Sequence, residues 1–168
     1  EISLHTALNQ LSPEIDKVII TGGLGPTPDD LTSEIIASWM GVELEIYDEA
    51  VEHMSGIFKE NWAQVREVNM KQAYFPLGAK LLNNPRGTAL GFSIEHASRV
   101  IYCTPGVPRE CIAMVENEIL PGMLKHQSLV QIQKEFYTFG LGESRQTQMF
   151  EDYVLPSGVH FASLPSIS

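Results

Sequence analysis

The stretch KVIITGGLGPTPDDLT, residues 17–32, decides the fold of this chain. It begins with a short apolar run, which is typical of a strand buried in a parallel sheet. Three glycines come soon after this run, so the backbone can turn tightly and approach a ligand with no Cβ in the way. The stretch therefore predicts a strand that ends in a ligand-facing loop, at the edge where open α/β sheets place their ligands.

A second apolar run, RVIYC at residues 99–103, is followed by TPGVPRE and by a helical pattern that reaches about residue 120. The first run is likewise followed by a helical pattern, at residues 31–40. A strand, a turn and a helix thus occur twice in the same order, which is typical of an α/β fold. The elements expected between the two units are a short strand at 44–46 and a helix at about 48–65.

The composition excludes several classes of protein. The chain has 168 residues, 43% of them hydrophobic, and a net charge of -10. Nucleic acid is a poor partner for such a chain, because neutralising phosphates requires a basic face. No apolar run is long enough to cross a membrane, and neither Cys103 nor Cys111 lies in a metal-binding pattern. We therefore expect a soluble protein of the reducing cytoplasm.

Both ends of the chain suggest a piece of a longer protein. It starts at Glu1 on an amphipathic helical pattern and stops at Ser168 soon after a fresh apolar stretch. The composition shifts near residues 125–128, and the segment after it alternates apolar and polar residues, which suggests an exposed-edge or antiparallel strand. The stretch GVHFASL, residues 158–164, predicts the start of another strand. We expect one domain at residues 1–126, lacking its first strand, and an incomplete small α/β domain at 127–168 with a helix at about 142–153.

Two adjacent acids, Asp29 and Asp30, lie in the glycine loop. Thr27, Pro28 and Asp30 have the order of a helix start, with a capping hydroxyl, a proline and an acid, and such a start binds anions. Two interpretations of the acids are open: they cap the helix, or they hold Mg²⁺ against phosphate oxygens. The loop has neither the dinucleotide pattern GxGxxG nor the lysine of a P-loop, which argues against a kinase or P-loop NTPase.

Taken together, these motifs resemble one family. TGGLGPTPDDLT resembles the signature of the CinA-like proteins, a branch of the MogA/MoaB molybdopterin-binding superfamily. Further matches follow in family order along the chain: NMKQA at 69–73, NPRGTALGF at 84–92, TPGVPRE at 104–110 and FGLGES at 139–144. The resemblance implies a three-layer α/β/α domain with a mostly parallel sheet, followed by a small partial α/β domain.

The resemblance also implies an activity, namely hydrolysis of the diphosphate of ADP-ribose with a divalent metal, Mg²⁺ or Co²⁺. Asp30, assisted by Asp29, would hold the metal, and Lys71 would neutralise phosphate charge. Nothing in the chain resembles the amidohydrolase domain that many members add. The residues implied to bind the nucleotide and its phosphates are Thr21, Gly22, Gly23, Gly25, Thr27, Asn69, Gln72, Gly87, Thr88, Gly106, Val107 and Pro108.

Two other functions stay open at this point. One is a binding module that holds a pterin or a nucleotide without hydrolysing it, because either ligand offers phosphate to the glycine loop. The other is a domain that serves assembly only. Relatives in the superfamily self-associate, so the resemblance implies a homo-oligomer as well as a small-molecule ligand.

Overall fold

The computed structural model describes residues 2–124, 132–134, 136–140, 142–151 and 154–160. The chain divides into two compact units, residues 1–128 and 129–168. In the first unit the helices are α1 (Ile2–Asn9), α2 (Thr32–Met40), α3 (Asp48–Phe58), α4 (Trp62–Asn69), α5 (Pro108–Met114) and α6 (Leu120–Leu124). Its strands are β1 (Lys17–Thr21), β2 (Leu44–Ile46), β3 (Tyr74–Pro76), β4 (Lys80–Leu82), β5 (Gly91–His96) and β6 (Arg99–Thr104).

The main sheet has four strands in the order β1-β6-β5-β4. β1 and β6 are parallel, with Lys17 opposite Val100 and Thr21 opposite Thr104. β6 pairs with β5, and β5 with β4, in antiparallel ladders. The α/β class predicted from the sequence is confirmed, but the described sheet is mixed and not mostly parallel, because the chain from β4 to β6 folds back on itself as a meander.

Helices cover both faces of this sheet. Successive side chains of a strand point to opposite faces, so Ile101 and Cys103 pack on one side and Tyr102 on the other. The first side holds the larger core, built with residues of α1, α2, α3 and β3 such as Met54, which is fully buried. The second side holds a smaller cluster around Met114 of α5. This is the three-layer arrangement that the resemblance implied.

The helices differ in detail from the sequence predictions. The end of α2 is confirmed, because Gly41 has a φ of +72° and donates its N–H to the carbonyls of the last turn. The helix expected at 48–65 is interrupted, since Lys59 has a φ of +49° that no α-helix accommodates. α3 therefore ends at Phe58, and a single 3₁₀ turn leads into α4.

In the second unit the described residues contain one helix, α7 (Glu143–Glu151), inside the range predicted for it. The strand expected after residue 128 is not formed over the described residues 132–134 and 136–140. The last predicted strand falls mainly on residues 161–164, which lie outside the described residues. Across the described parts of both units, none of the helices combines the length and the apolar character that crossing a membrane requires.

Two glycines give a direct test of this packing. A Cβ on Gly91 of β5 would lie 2.5 Å from the carbonyl oxygen of Cys103 and 2.5 Å from Cε of Met114. We expect Gly91→Ala to lower the free energy of unfolding by about 1 to 3 kcal/mol, as overpacking does. Gly56→Ala in α3 meets nothing within 4 Å, so we expect it to be neutral or to stabilise by up to about 1 kcal/mol. Chemical denaturation checks both, and equal stabilities for the two variants would contradict the packing described.

Candidate functional site

The parallel pairing of β1 with β6 brings two loops together at the carboxyl ends of these strands. Gly22 donates its N–H to the carbonyl of Thr104 at 2.8 Å, and the Thr21 hydroxyl donates to the carbonyl of Pro105 at 3.0 Å. A Cβ on Gly106 would lie only 3.2 Å from the Cα of Gly22, whose φ is +98°. Both positions therefore favour glycine, as the sequence predicted for ligand-facing loops.

Thr32 closes the first loop back onto its own start. Its hydroxyl donates to the carbonyl of Gly22 at 2.8 Å, and its N–H donates to the carbonyl of Gly23 at 3.0 Å. Thr32 is buried and is the first residue of α2, with Leu31 as a cap that makes no side-chain hydrogen bond. The loop is thus a closed ring of backbone between β1 and α2.

The predicted helix start at Thr27 is wrong, because residues 27–30 form a separate turn. Asp30 donates its N–H to the carbonyl of Thr27 at 3.1 Å, and Thr27 donates its N–H to Oδ2 of Asp30 at 3.0 Å. These are the hydrogen bonds of a capping motif, but they are satisfied within the turn and α2 begins only at Thr32. The N–H groups of Thr27 and Asp30 are therefore used within the turn and are not free to bind an anion, as those of a helix start would be.

The two acids of the turn converge on one hydroxyl. Thr27 Oγ1 lies 2.6 Å from Oδ1 of Asp29 and 2.5 Å from Oδ2 of Asp30. A hydroxyl has a single proton and can donate it to only one of them. The hydroxyl oxygen therefore faces the other carboxylate oxygen with no proton between them. A cation bound there would relieve the repulsion between these two oxygens.

This oxygen cluster fits a divalent metal of the Mg²⁺ type. Within the described parts of the chain, no group of three or more His, Cys, Asp or Glu residues is arranged to hold a metal ion. Mg²⁺ is commonly bound through one or two carboxylates while its other positions go to water and phosphate oxygens. Asp29 and Asp30 are the residues that would hold it, with the Thr27 hydroxyl beside them.

The Asp30 carboxyl is held in its ionised form. Partial burial works to raise its pKa, but hydrogen bonds from the Thr27 hydroxyl and from the N–H groups of Thr27 and Gly25, together with the charge of Lys71, outweigh it. The net result is a pKa below the usual value of 3.8. Asp30 is therefore negatively charged at neutral pH, as a metal ligand must be.

Lys71 reaches this turn from the 3₁₀ turn that precedes β3. Its Nζ donates to the carbonyl of Thr27 at 2.9 Å and lies 3.5 Å from the carbonyl of Pro28. It also lies 3.4 Å from Oε1 of Glu34, a residue of the first turn of α2. The lysine predicted from the motif match is thus at the site, where it joins three parts of the chain.

A small cavity, open to solvent, lies between these groups. The predicted residues Gly23, Gly25, Asp30, Lys71 and Gln72 all belong to its lining. Its other lining residues are Leu24, Ser33, Glu34, Phe75 and Leu90.

The segment at residues 84–90 is tied to the site by buried polar groups. The amide of Asn84, which is fully buried, donates to the carbonyl of Ala89 and to Oε2 of Glu110, both at 2.8 Å. Gly87 packs so closely on the Glu110 carboxylate that a Cβ there would clash with it. The carbonyl of Gly87 is also 2.9 Å from Nε2 of His53. Helices α5 and α3 thus hold this segment in place.

A chain of side-chain hydrogen bonds links this segment to α4 through Gln72, the residue after Lys71. The hydroxyl of Thr88 donates to Oε1 of Gln72 at 3.0 Å, and Nε2 of Gln72 donates to Oδ1 of Asn69 at 2.7 Å. The amide of Asn69 in turn donates to the carbonyl of Val65. Asn69 and Thr88 therefore orient Gln72 at the cavity, whereas the resemblance implied direct contact of all three with the ligand.

The remaining predicted residues lie at the start of α5 and on the far side of the turn. Val107 and Pro108 are exposed beside Gly106, and Asp29 is exposed next to Asp30. Sequence reasoning missed Glu34, Glu110 and His53. Glu34 lies in the predicted helix after the loop and Glu110 ends the TPGVPRE match, but neither position shows which group its side chain meets.

Residues 1–125 match the family model described as "Probable molybdopterin binding domain". A protein of Alkaliphilus metalliredigens named as competence-damage inducible is 41% identical over 83% of this chain and 34% of its own length. A CinA-like protein of Escherichia coli (strain SMS-3-5) is 38% identical over 98% of this chain and 42% of its own length. This chain therefore spans well under half the length of these curated relatives.

Among solved structures, the chain is similar to the crystal structure of the protein CinA, with unknown function, from Thermoplasma acidophilum. The two share 30% sequence identity with a TM-score of 0.60, over 74% of this chain and 67% of the other. The resemblance to CinA-like proteins is confirmed by these matches. The chain belongs to the molybdopterin-binding domain family, with CinA-like proteins as its relatives.

Proposed function

We propose that this domain is a metal-dependent nucleotide pyrophosphatase that hydrolyses the diphosphate of ADP-ribose or a related dinucleotide. The observation that carries the proposal is the convergence of Asp29 and Asp30 on the Thr27 hydroxyl, at the edge of a glycine-lined cavity. An ionised pair of carboxylates repels a diphosphate unless a cation lies between them. The arrangement thus suits metal-assisted hydrolysis of a phosphoanhydride.

Each group has a distinct part in this reaction. Gly23 and Gly25 line the cavity and let the loop fold tightly, since a Cβ on Gly23 would clash with Thr32 and one on Gly25 with Asp30. Asp30, with Asp29 beside it, would hold the cation. When bound, a divalent metal neutralises phosphate charge and lowers the pKa of a water molecule that can attack phosphorus. The Lys71 ammonium would stabilise the charge that builds on the phosphate that leaves.

A second function, binding of a pterin or nucleotide without hydrolysis, is favoured by a different observation. Around the cavity, the described residues supply two adjacent carboxylates on one turn but no histidine among the lining residues to act as a general base. A binding module needs only the glycine-lined cavity and the cation. Self-association and a cytoplasmic location stay predictions for either function.

Incubating the purified protein with ADP-ribose and Mg²⁺ or Co²⁺ separates the two functions. We expect release of AMP, and we expect Asp30→Asn to lower the rate by about 10²-fold or more, as loss of a preorganised charged group does. Asp16→Asn is the matched control, because Asp16 precedes β1 at the opposite end of the strand and its carboxylate pairs with Lys17. Saturable nucleotide binding with no AMP would favour the binding module, and full activity in a folded Asp30→Asn protein would refute the role of Asp30.

The charge state of Asp30 gives a further test by pH. Because the pKa of Asp30 is below 3.8 in the folded protein, its contribution to stability is complete above 3.8 and is lost as the pH falls through the folded value. Thr27→Val removes the hydroxyl donor but leaves the burial, so we expect the Asp30 pKa to move upward. Carboxyl ¹³C NMR titration measures it, with Thr6→Val on α1 as the control. An unchanged pKa in Thr27→Val would contradict the role of the hydroxyl.

A further inference from the structure

Glu34 lies in the first turn of α2 and faces the same cavity as Asp30 and Lys71. Its Oε1 is 3.4 Å from Nζ of Lys71, and the Glu34 and Lys71 side chains are 37% and 26% exposed. The pair is therefore partly shielded from water, which strengthens its interaction relative to a pair in bulk solvent. Neither the motifs nor the family matches assign Glu34 a role.

Three protein oxygens surround the ammonium of Lys71 within 3.5 Å. An ammonium carries three N–H donors, and the acceptors nearby are the carbonyls of Thr27 and Pro28 and the carboxylate of Glu34. A phosphate oxygen that binds Lys71 competes with these acceptors for its protons. The carbonyls belong to a hydrogen-bonded turn, whereas Glu34 is a flexible side chain, so Glu34 is the acceptor that a phosphate would displace.

The charges around the cavity oppose a bare diphosphate. Among the described residues that line it, Asp30 and Glu34 are negative and Lys71 is the single positive group. Asp29 adds a further negative charge beside Asp30. A diphosphate without a cation would meet a net repulsion, and its one attractive partner is already paired with Glu34.

We propose that Glu34 is a specificity-determining residue of this site. In the absence of ligand it pairs with Lys71, and its negative charge thereby disfavours binding of metal-free diphosphates. The site then accepts the diphosphate as its complex with a divalent cation, which cancels the charge of the carboxylates. This inference rests on the proposed function, because it assumes a diphosphate ligand in the cavity. It goes further by naming the ionic form that binds and the residue that selects it.

The competing explanation is that Glu34 only stabilises α2. An acid in the first turn of a helix interacts favourably with the helix dipole. That explanation predicts a lower stability for Glu34→Gln and no change in anion affinity. Our proposal predicts a change in affinity that depends on whether a cation is present, so the two are separable by a binding measurement.

The experiment is isothermal titration of inorganic pyrophosphate into the protein, once with Mg²⁺ and once with EDTA. We expect Glu34→Gln to bind metal-free pyrophosphate about five- to tenfold more tightly than the unsubstituted protein, because one opposing charge is gone and Lys71 is released. The gain in affinity from adding Mg²⁺ shrinks accordingly. Glu34→Asp keeps the charge, so we expect it to keep most of the discrimination.

Two controls exclude a general effect of charge. Glu14→Gln makes the same change in net charge before β1, at the end of the strand opposite the glycine loop, and we expect it to alter neither affinity. In a Lys71→Met background, Glu34→Gln has a smaller effect if it acts through Lys71, as a double-mutant cycle reveals. Thermal melts of each variant establish that it is folded.

The outcomes distinguish this inference from the proposed function. If Mg²⁺-pyrophosphate binds but Glu34→Gln leaves the metal-free affinity unchanged or lowers it, the inference is wrong and the proposed function stands. An equal gain in Glu14→Gln also overturns the inference. If pyrophosphate binds the unsubstituted protein neither with Mg²⁺ nor without it, the proposed function fails and the inference fails with it.

Discussion

The parallel pairing of β1 with β6 is the constraint on which the site depends. It sets Thr21 opposite Thr104, so both strands end at the same level and their loops meet. The ladder continues one step further through the N–H of Gly22, which leaves no room for a side chain between Gly22 and Gly106. The ring closed by Thr32 then fixes where α2 begins. The position of the acidic turn follows from this pairing and not from the turn itself.

Much of this site could be predicted from the sequence because its signals are local. The apolar run of β1, the glycines after it and the acids of the turn are adjacent in the chain, and the motif match added Lys71 and Gln72. Glu34 and Glu110 were missed because what they do depends on partners far away in sequence. A glutamate in a helix gives no sign of whether a lysine or a buried asparagine lies across from it. Such pairs can be identified only once the fold is known.

Two of the errors of prediction have separate physical causes. Thr27 and Asp30 satisfy the hydrogen bonds of a helix start within an isolated turn, and a sequence pattern cannot distinguish the two. The antiparallel pairing of β5 with β6 depends on a tight turn at Ala97 and Ser98, whose φ values are +47° and +67°. Turns of this kind favour glycine or asparagine, and neither is present to mark the hairpin. The turn residues therefore gave no indication in the sequence of the antiparallel hairpin that makes the sheet mixed.

The charge of the site supports the proposed dependence on a cation. A buried or crowded carboxylate can relieve repulsion by taking up a proton, which raises its pKa. Asp30 does the opposite, since its hydrogen bonds and Lys71 hold its pKa below the usual value. The negative charge therefore persists at neutral pH beside Asp29 and Glu34, in a chain whose net charge is already -10. An anionic ligand in this cavity would meet more negative charge than Lys71 alone balances, and this imbalance is the physical basis of the proposed metal dependence.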